Sequence, residues 1–196
     1  MSEARPPRVL RGILRLGTFN SDGLAEFAAT PQAFLNSLAP LLALPVVGGL
    51  ILLVRGDLVE ALVTVLANLV IVLAPPVAAQ AMTRLWRREG LWLRYAVVYN
   101  WCQWAMVLAL LPTLIVGGVL ASAGLPGPAV AQLATLALAG YWMALNWFLA
   151  RTTLNLSGGR AALFVFAWWL ASLLLILVPM LVAGLVAGAP ITGLPA

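Results

Sequence analysis

The side chains able to do chemistry in this chain are few, and most chemistries fail for want of them. There is no histidine, a single cysteine and six acids, against eleven arginines and no lysine. A disulfide within the chain, a Cys/His zinc site and a histidine-ligated haem are therefore excluded. Cys102 stands in an apolar run, where a small buried hydrophobe is its ordinary role. Glu3, Asp22, Glu26 and Glu89 fall in polar segments, while Asp57 and Glu60 flank the outer end of the second apolar run, beside Arg55, and suit an ion-paired cluster at a hairpin. No two acids share the middle of an apolar run, where ionisable side chains mark proton relay or ion transport. No catalytic residue, metal site or cofactor is assigned, and the chain is read as a non-enzyme.

The remaining candidates are amides. Gln80 lies four residues before Arg84, Asn100 six after Arg94 and Asn146 five before Arg151. At about 1.5 Å of rise per residue, all three stand roughly 6–9 Å inside the arginines. They belong to three different apolar runs, so a shared polar layer within the membrane is geometrically available. One reading is hydrogen bonding between helices, worth about 0.6–2 kcal/mol per bond. The other is a water-accessible cavity, the site of a small transporter or channel subunit. Amides do not relay protons as carboxylates do, so the layer does not indicate a proton pump.

These side chains need elements to position them, and composition names the elements. Apolar residues make up 63% of the 196 and charged residues 9%, with a mean hydropathy of +1.04. Soluble domains carry roughly a quarter charged residues. The apolar residues gather in runs near the ~20 residues that cross a bilayer as a helix. The spacing predicts spans at 34–54, 58–82, 95–120, 129–150 and 161–187, after an N-terminal segment 1–33 and before a tail 188–196. Pro40 and Pro45 predict a kink in the first span, and Pro75-Pro76 a break in the second.

The arginines orient this arrangement. Arg5, Arg8, Arg11 and Arg15 precede the first span, Arg84, Arg87, Arg88 and Arg94 follow the second, and Arg151 and Arg160 follow the fourth. Only Arg55 lies in an alternate connection. Short loops rich in arginine stay cytoplasmic. The expected fold is thus an all-α, polytopic integral membrane bundle of five spans, N-terminus cytoplasmic and C-terminus periplasmic. Residues 1–30 hold no sustained apolar segment with a cleavage site, so the start does not read as a secretory signal. The lack of lysine with abundant Ala, Leu, Gly and Pro suggests a bacterial origin, hence the inner membrane.

Arg8, Arg11 and Arg15 recur at helical spacing, with Leu10, Ile13 and Leu14 pointing the other way. That suits a short helix in the headgroup layer, ended by Gly17 and Asn20. With Arg84, Arg87 and Arg88, these arginines are the candidate contacts for anionic lipid, each worth about 1 kcal/mol near a charged surface. They flank spans and form no basic stripe, so nucleic acid is not an expected partner. Tyr95, Tyr99, Trp101, Trp104, Tyr141, Trp142, Trp147, Trp168 and Trp169 gather at one depth, as an interfacial belt or a lipid-tail pocket. Small-residue patches at Gly48-Gly49, Gly117-Gly118 and Gly184 to Gly188 allow close helix approach, within the chain or in a homo-oligomer.

The layout of five spans, an amphipathic N-terminus and a short exoplasmic tail resembles the Yip1-domain membrane proteins and their small bacterial relatives. The stretch Arg94-Tyr95-Ala96-Val97-Val98-Tyr99-Asn100-Trp101 resembles that of uncharacterised five-span proteins of alphaproteobacteria, as does Trp147-Phe148-Leu149-Ala150-Arg151 with the later Leu156-Ser157-Gly158-Gly159. The aspartate- and tyrosine-rich signature of the eukaryotic trafficking members is missing, so a role with small GTPases does not carry over. The bacterial relatives have no settled activity, so the resemblance carries over no functional residue. The expectation drawn from the residues is a non-enzymatic membrane protein, structural or lipid-organising, with membrane lipids as partners and either a homo-oligomer or another membrane protein beside it.

Overall fold

The computed structural model describes residues 8–56 and 58–186. Arg5, Pro6-Pro7, Asp57 and the Gly184 to Gly188 patch, whose end is at 188, lie wholly or partly outside them, as does the side chain of Glu60. Six α-helices follow in order: α1 Val9–Gly17, α2 Pro31–Val54, α3 Leu58–Leu85, α4 Glu89–Ser122, α5 Gly127–Thr153 and α6 Gly158–Val186. A 3-10 helix, Ser21–Glu26, separates α1 from α2, and no strand occurs among the described residues. Four helical segments are long and apolar enough to cross a membrane: α2, Thr64–Leu85 of α3, α4 and α5. Within α6 a shorter apolar stretch, Gly158–Ala171, stands out.

Local chemistry fixes where these helices start and stop. Thr30 Oγ1 accepts from the Ala33 N–H at 3.2 Å and Pro31 opens α2, the arrangement favoured at a helix N-terminus. Asn20 caps the 3-10 helix by accepting from the Asp22 N–H at 2.9 Å. Four helices end alike. The N–H of Asn20, Arg88, Leu125 and Leu156 returns to the carbonyl five residues earlier, at 2.7–3.2 Å. In each the preceding residue, Phe19, Arg87, Gly124 or Asn155, takes a positive φ. This six-to-one closure ties off carbonyls that the helix leaves unpaired and reverses the chain at once.

The connections are consequently shorter than the charges suggest. Arg84, Arg94, Arg151 and Arg160 are helical, and only 86–88 and 154–157 lie between helices at that end. A helix has no reason to stop where apolar residues give way to charged ones, because arginine is a good helix former. Nor does Pro75-Pro76 interrupt α3, which runs through both prolines. Beside them the Trp92 indole N–H donates to the Pro76 carbonyl at 2.8 Å, lacing α4 to the proline turn.

α4 is the hub of the bundle. It packs against α1, α2, α3 and α5, while α6 closes the ring by touching α3 and α5. Tyr95 to Asn100 are buried on every face of the helix. Beyond Ala105 the same helix shows Leu111, Leu114, Ile115 and Val119 at its surface. The dense core thus lies at the arginine end and thins toward the other, where exposed apolar side chains suit contact with lipid. Close approach is set locally by Gly49 of α2, where a Cβ would overlap Val65 of α3, and by Gly117, where it would meet Val130 of α5 at 3.3 Å.

The N-terminal segment folds back as a hook. Gly12, Ile13 and Leu16 of α1 are buried, and the 3-10 helix packs over them. At Gly23 a Cβ would lie 2.8 Å from Leu16 Cγ and 2.9 Å from the Gly12 carbonyl oxygen. Gly23→Val should therefore overpack the hook by about 1–3 kcal/mol. Limited trypsin digestion in detergent checks this. Cleavage after Arg11 and Arg15 should quicken severalfold while α4 and α5 stay intact, and an unchanged rate would show that the hook accommodates the side chain.

Candidate functional site

α1 has three faces, set by 100° per residue. Gly12, Ile13 and Leu16 face the bundle. Leu10 and Leu14, 64% and 50% exposed, form a second face away from it. Arg8, Arg11 and Arg15 occupy the third, exposed or half-buried. A helix with protein, apolar and cationic faces is built for a boundary between protein, hydrocarbon and water.

Its depth along the bundle follows from what it touches. The Tyr141 hydroxyl donates to the Gly17 carbonyl at 3.0 Å, and a Cβ at Gly17 would stand 3.4 Å from that of Ala105. Phe19 meets the rings of Tyr141 and Phe148 edge-on, with centroids 6.0 and 5.6 Å apart. Tyr141 is ten residues before Arg151 and Ala105 eleven after Arg94, or roughly 15 Å of helix. α1 therefore docks well below the arginine ends of α4 and α5, deeper than a helix floating among headgroups. Two features make this tenable. Arginine stems are long enough to lift their charge toward water. Glu26, delivered by the 3-10 helix, also stands 3.8 Å from Arg11 Nε and 3.7 Å from one Arg15 terminal nitrogen. At these lengths and exposures the pairs contribute at most about 1 kcal/mol.

The other sequence-predicted arginines stand at the α3–α4 turn itself. Arg84 closes α3, Arg87 holds the turn at φ 56° and Arg88 precedes α4. The Trp86 ring in this turn lies 6.1 Å from Phe164 of α6, and Phe34 near the start of α2 lies 5.6 Å from Trp92. The α3–α4 turn, the start of α6 and the start of α2 are thus neighbours. Glu26 is the one acid that forms an ion pair among the described residues.

The three amides are not linked to one another. Asn100 is fully buried, and its amide N–H donates to Ser37 Oγ of α2 at 3.0 Å. Its Oδ1 has no hydrogen-bond partner among the described residues. The buried Asn146 donates to the Trp142 carbonyl of its own helix at 2.8 Å. Gln80 is partly exposed on α3, and no hydrogen bond joins it to Asn100 or Asn146 among the described residues. None of the four described cavities is lined by any of the three. Those cavities of about 430–520 Å³ are apolar and open along the flanks: α1 with α4 and α5, α5 with α6, α1 with α2 and α4, and the far half of α4 with α5.

Sequence reasoning missed Ser37 and Glu26. Ser37 carried no signal, since a lone serine in an apolar run is ordinary. Glu26 had only its opposite charge, eleven to fifteen residues from the arginines it meets. No cluster of three metal-ligating side chains occurs among the described residues. No family model, curated protein or solved structure matches the chain.

The Ser37–Asn100 bond is the polar contact between spans most open to test. A double-mutant cycle of Ser37→Ala and Asn100→Ala, read by thermal unfolding in detergent, should give a coupling of about 0.6–2 kcal/mol. The pairing of Ser37→Ala with Asn146→Ala should be additive within about 0.5 kcal/mol.

Proposed function

We propose that this chain is a non-enzymatic, lipid-organising scaffold of a bacterial inner membrane, Yip1-like in layout, with five spans, its arginine end in the cytoplasm and its C-terminus in the periplasm. The observation that carries this reading is the gathering of arginines at one end of a bundle whose flanks are apolar. Arg84, Arg87 and Arg88 stand exposed or half-exposed there, Arg8, Arg11 and Arg15 stand exposed or half-exposed on the α1 hook that docks below them, and Glu26 is the only ion-pair partner among the described residues. That end suits a negatively charged leaflet, where basic side chains gain most. The α1 hook supports it further, offering Leu10 and Leu14 to hydrocarbon beside its own arginine face. The α6 backbone, helical over 29 residues, supplies a fifth segment long enough to cross.

Two measurements test this. In full-length protein in mixed-lipid nanodiscs, changing all six arginines to glutamine should lower the enrichment of phosphatidylglycerol over phosphatidylcholine around the protein by about tenfold or more. Equal enrichment in variant and wild type would refute lipid holding by these residues. For topology, single cysteines replacing Ser122 and Ser157, in a Cys102→Ala background, should differ in intact cells. A membrane-impermeant maleimide should label position 122 and leave position 157 unlabelled until lysis. The reverse pattern would invert the molecule.

A further inference from the structure

Trp147 is the junction of a site distinct from the α1 hook. Its indole N–H donates to the Gly158 carbonyl at 2.9 Å, tying the end of α5 to the start of α6. The guanidinium of Arg151, one turn on, lies over the same ring at 5.4 Å from its centroid. Arg160 follows Gly158 by two residues on α6. Both arginines are exposed, and neither has a carboxylate within 4.0 Å among the described residues. The reason is visible in the sequence: no acid occurs after Glu89. Two exposed cations thus stand at the closed end of the α5–α6 hairpin, one on each helix, with no ion-pair partner among the described residues.

Below them a groove of about 520 Å³ runs between α5 and α6, with Trp147 in its wall. Met143 of α5 and Ala162, Phe166, Trp169 and Leu170 of α6 also line it. Phe166 and Trp169 are 65% and 42% exposed, so the groove is apolar and open to its surroundings. Along α6 it extends from Ala162 to Leu173, about 16 Å of helix. One leaflet is half of a hydrocarbon core about 30 Å thick. The groove therefore matches one acyl chain in length, and it begins where the unmatched positive charge sits.

We infer that the α5–α6 face is a binding site for one anionic phospholipid of the bilayer. Its phosphate is held by Arg151 and Arg160, and one acyl chain lies in the groove past Trp147, Phe166 and Trp169. Trp147 sets the site by holding Arg151 on its face while fixing the start of α6 with its edge. This rests on the lipid-holding reading above but uses none of the six arginines tested there.

Native mass spectrometry of the full-length protein, extracted with mild detergent from vesicles of equal phosphatidylglycerol and phosphatidylcholine, tests it. The wild type should retain one phosphatidylglycerol. Arg151→Gln with Arg160→Gln should lower that retained fraction about tenfold or more relative to phosphatidylcholine. Ala162→Leu, which narrows the groove at an exposed position, should lower retention of both lipids. The variant lacking Arg8, Arg11, Arg15, Arg84, Arg87 and Arg88 should keep the bound lipid. Unchanged retention in both the Arg151/Arg160 and Ala162 variants would overturn the site. Loss confined to the six-arginine variant would overturn it too while leaving the scaffold reading in place. Melting temperatures close to wild type confirm that each variant remains folded.

Discussion

The bundle depends on burying one stretch of one helix on all sides. Tyr95 to Asn100 of α4 have no exposed face, and Cys102 and Ala105 extend that burial a turn further. A helix can be surrounded only if neighbours approach from every direction, and here Asn100 meets Ser37 of α2 while the Tyr99 ring meets that of Trp142 on α5. The ring stacking of Tyr95 on Tyr99 at 5.7 Å, and the edge contact of Tyr95 with Phe164 at 5.2 Å, extend the same packing to α6. In lipid, where apolar surface gains little by leaving the solvent, such van der Waals contact is the main force between helices. The opposite half of α4 has less of it, and Leu111, Leu114 and Ile115 face outward there.

Much of this was legible in the sequence, for a physical reason. Four helices long and apolar enough to cross a membrane follow from hydrophobic runs, and α1 from the spacing of Arg8, Arg11 and Arg15, because both signals act locally. The start of α2 at Thr30-Pro31 is likewise local chemistry. Two expectations concerned what lies between elements, and there the sequence was a poorer guide. Charge marked the loops as wide, yet αL residues at Arg87 and Asn155 fold them into three- and four-residue turns. Residue counting put Gln80, Asn100 and Asn146 at one expected depth but could not give the direction of each amide around its helix. Asn100 turns to Ser37, and Asn146 turns back to its own backbone.

The hook was half legible. Its helix and arginine face could be read from spacing, but its docking level could not. Depth depends on Gly17 meeting Tyr141 and Ala105, contacts that small residues permit without announcing. Likewise Trp147 reads in sequence as one aromatic of a belt. In the structure it faces three ways at once: toward Arg151, Gly158 and an open apolar groove.

The hydrogen bond between Tyr141 and Gly17 joins residues 124 apart in the chain. A ribosome releases α1 long before it releases the α4 and α5 surfaces on which α1 rests. α1 therefore emerges before its seat exists, and in the interval its leucine and arginine faces have only the membrane surface to settle on. The latch is made ahead of the door: α1 waits for α4 and α5 to receive it.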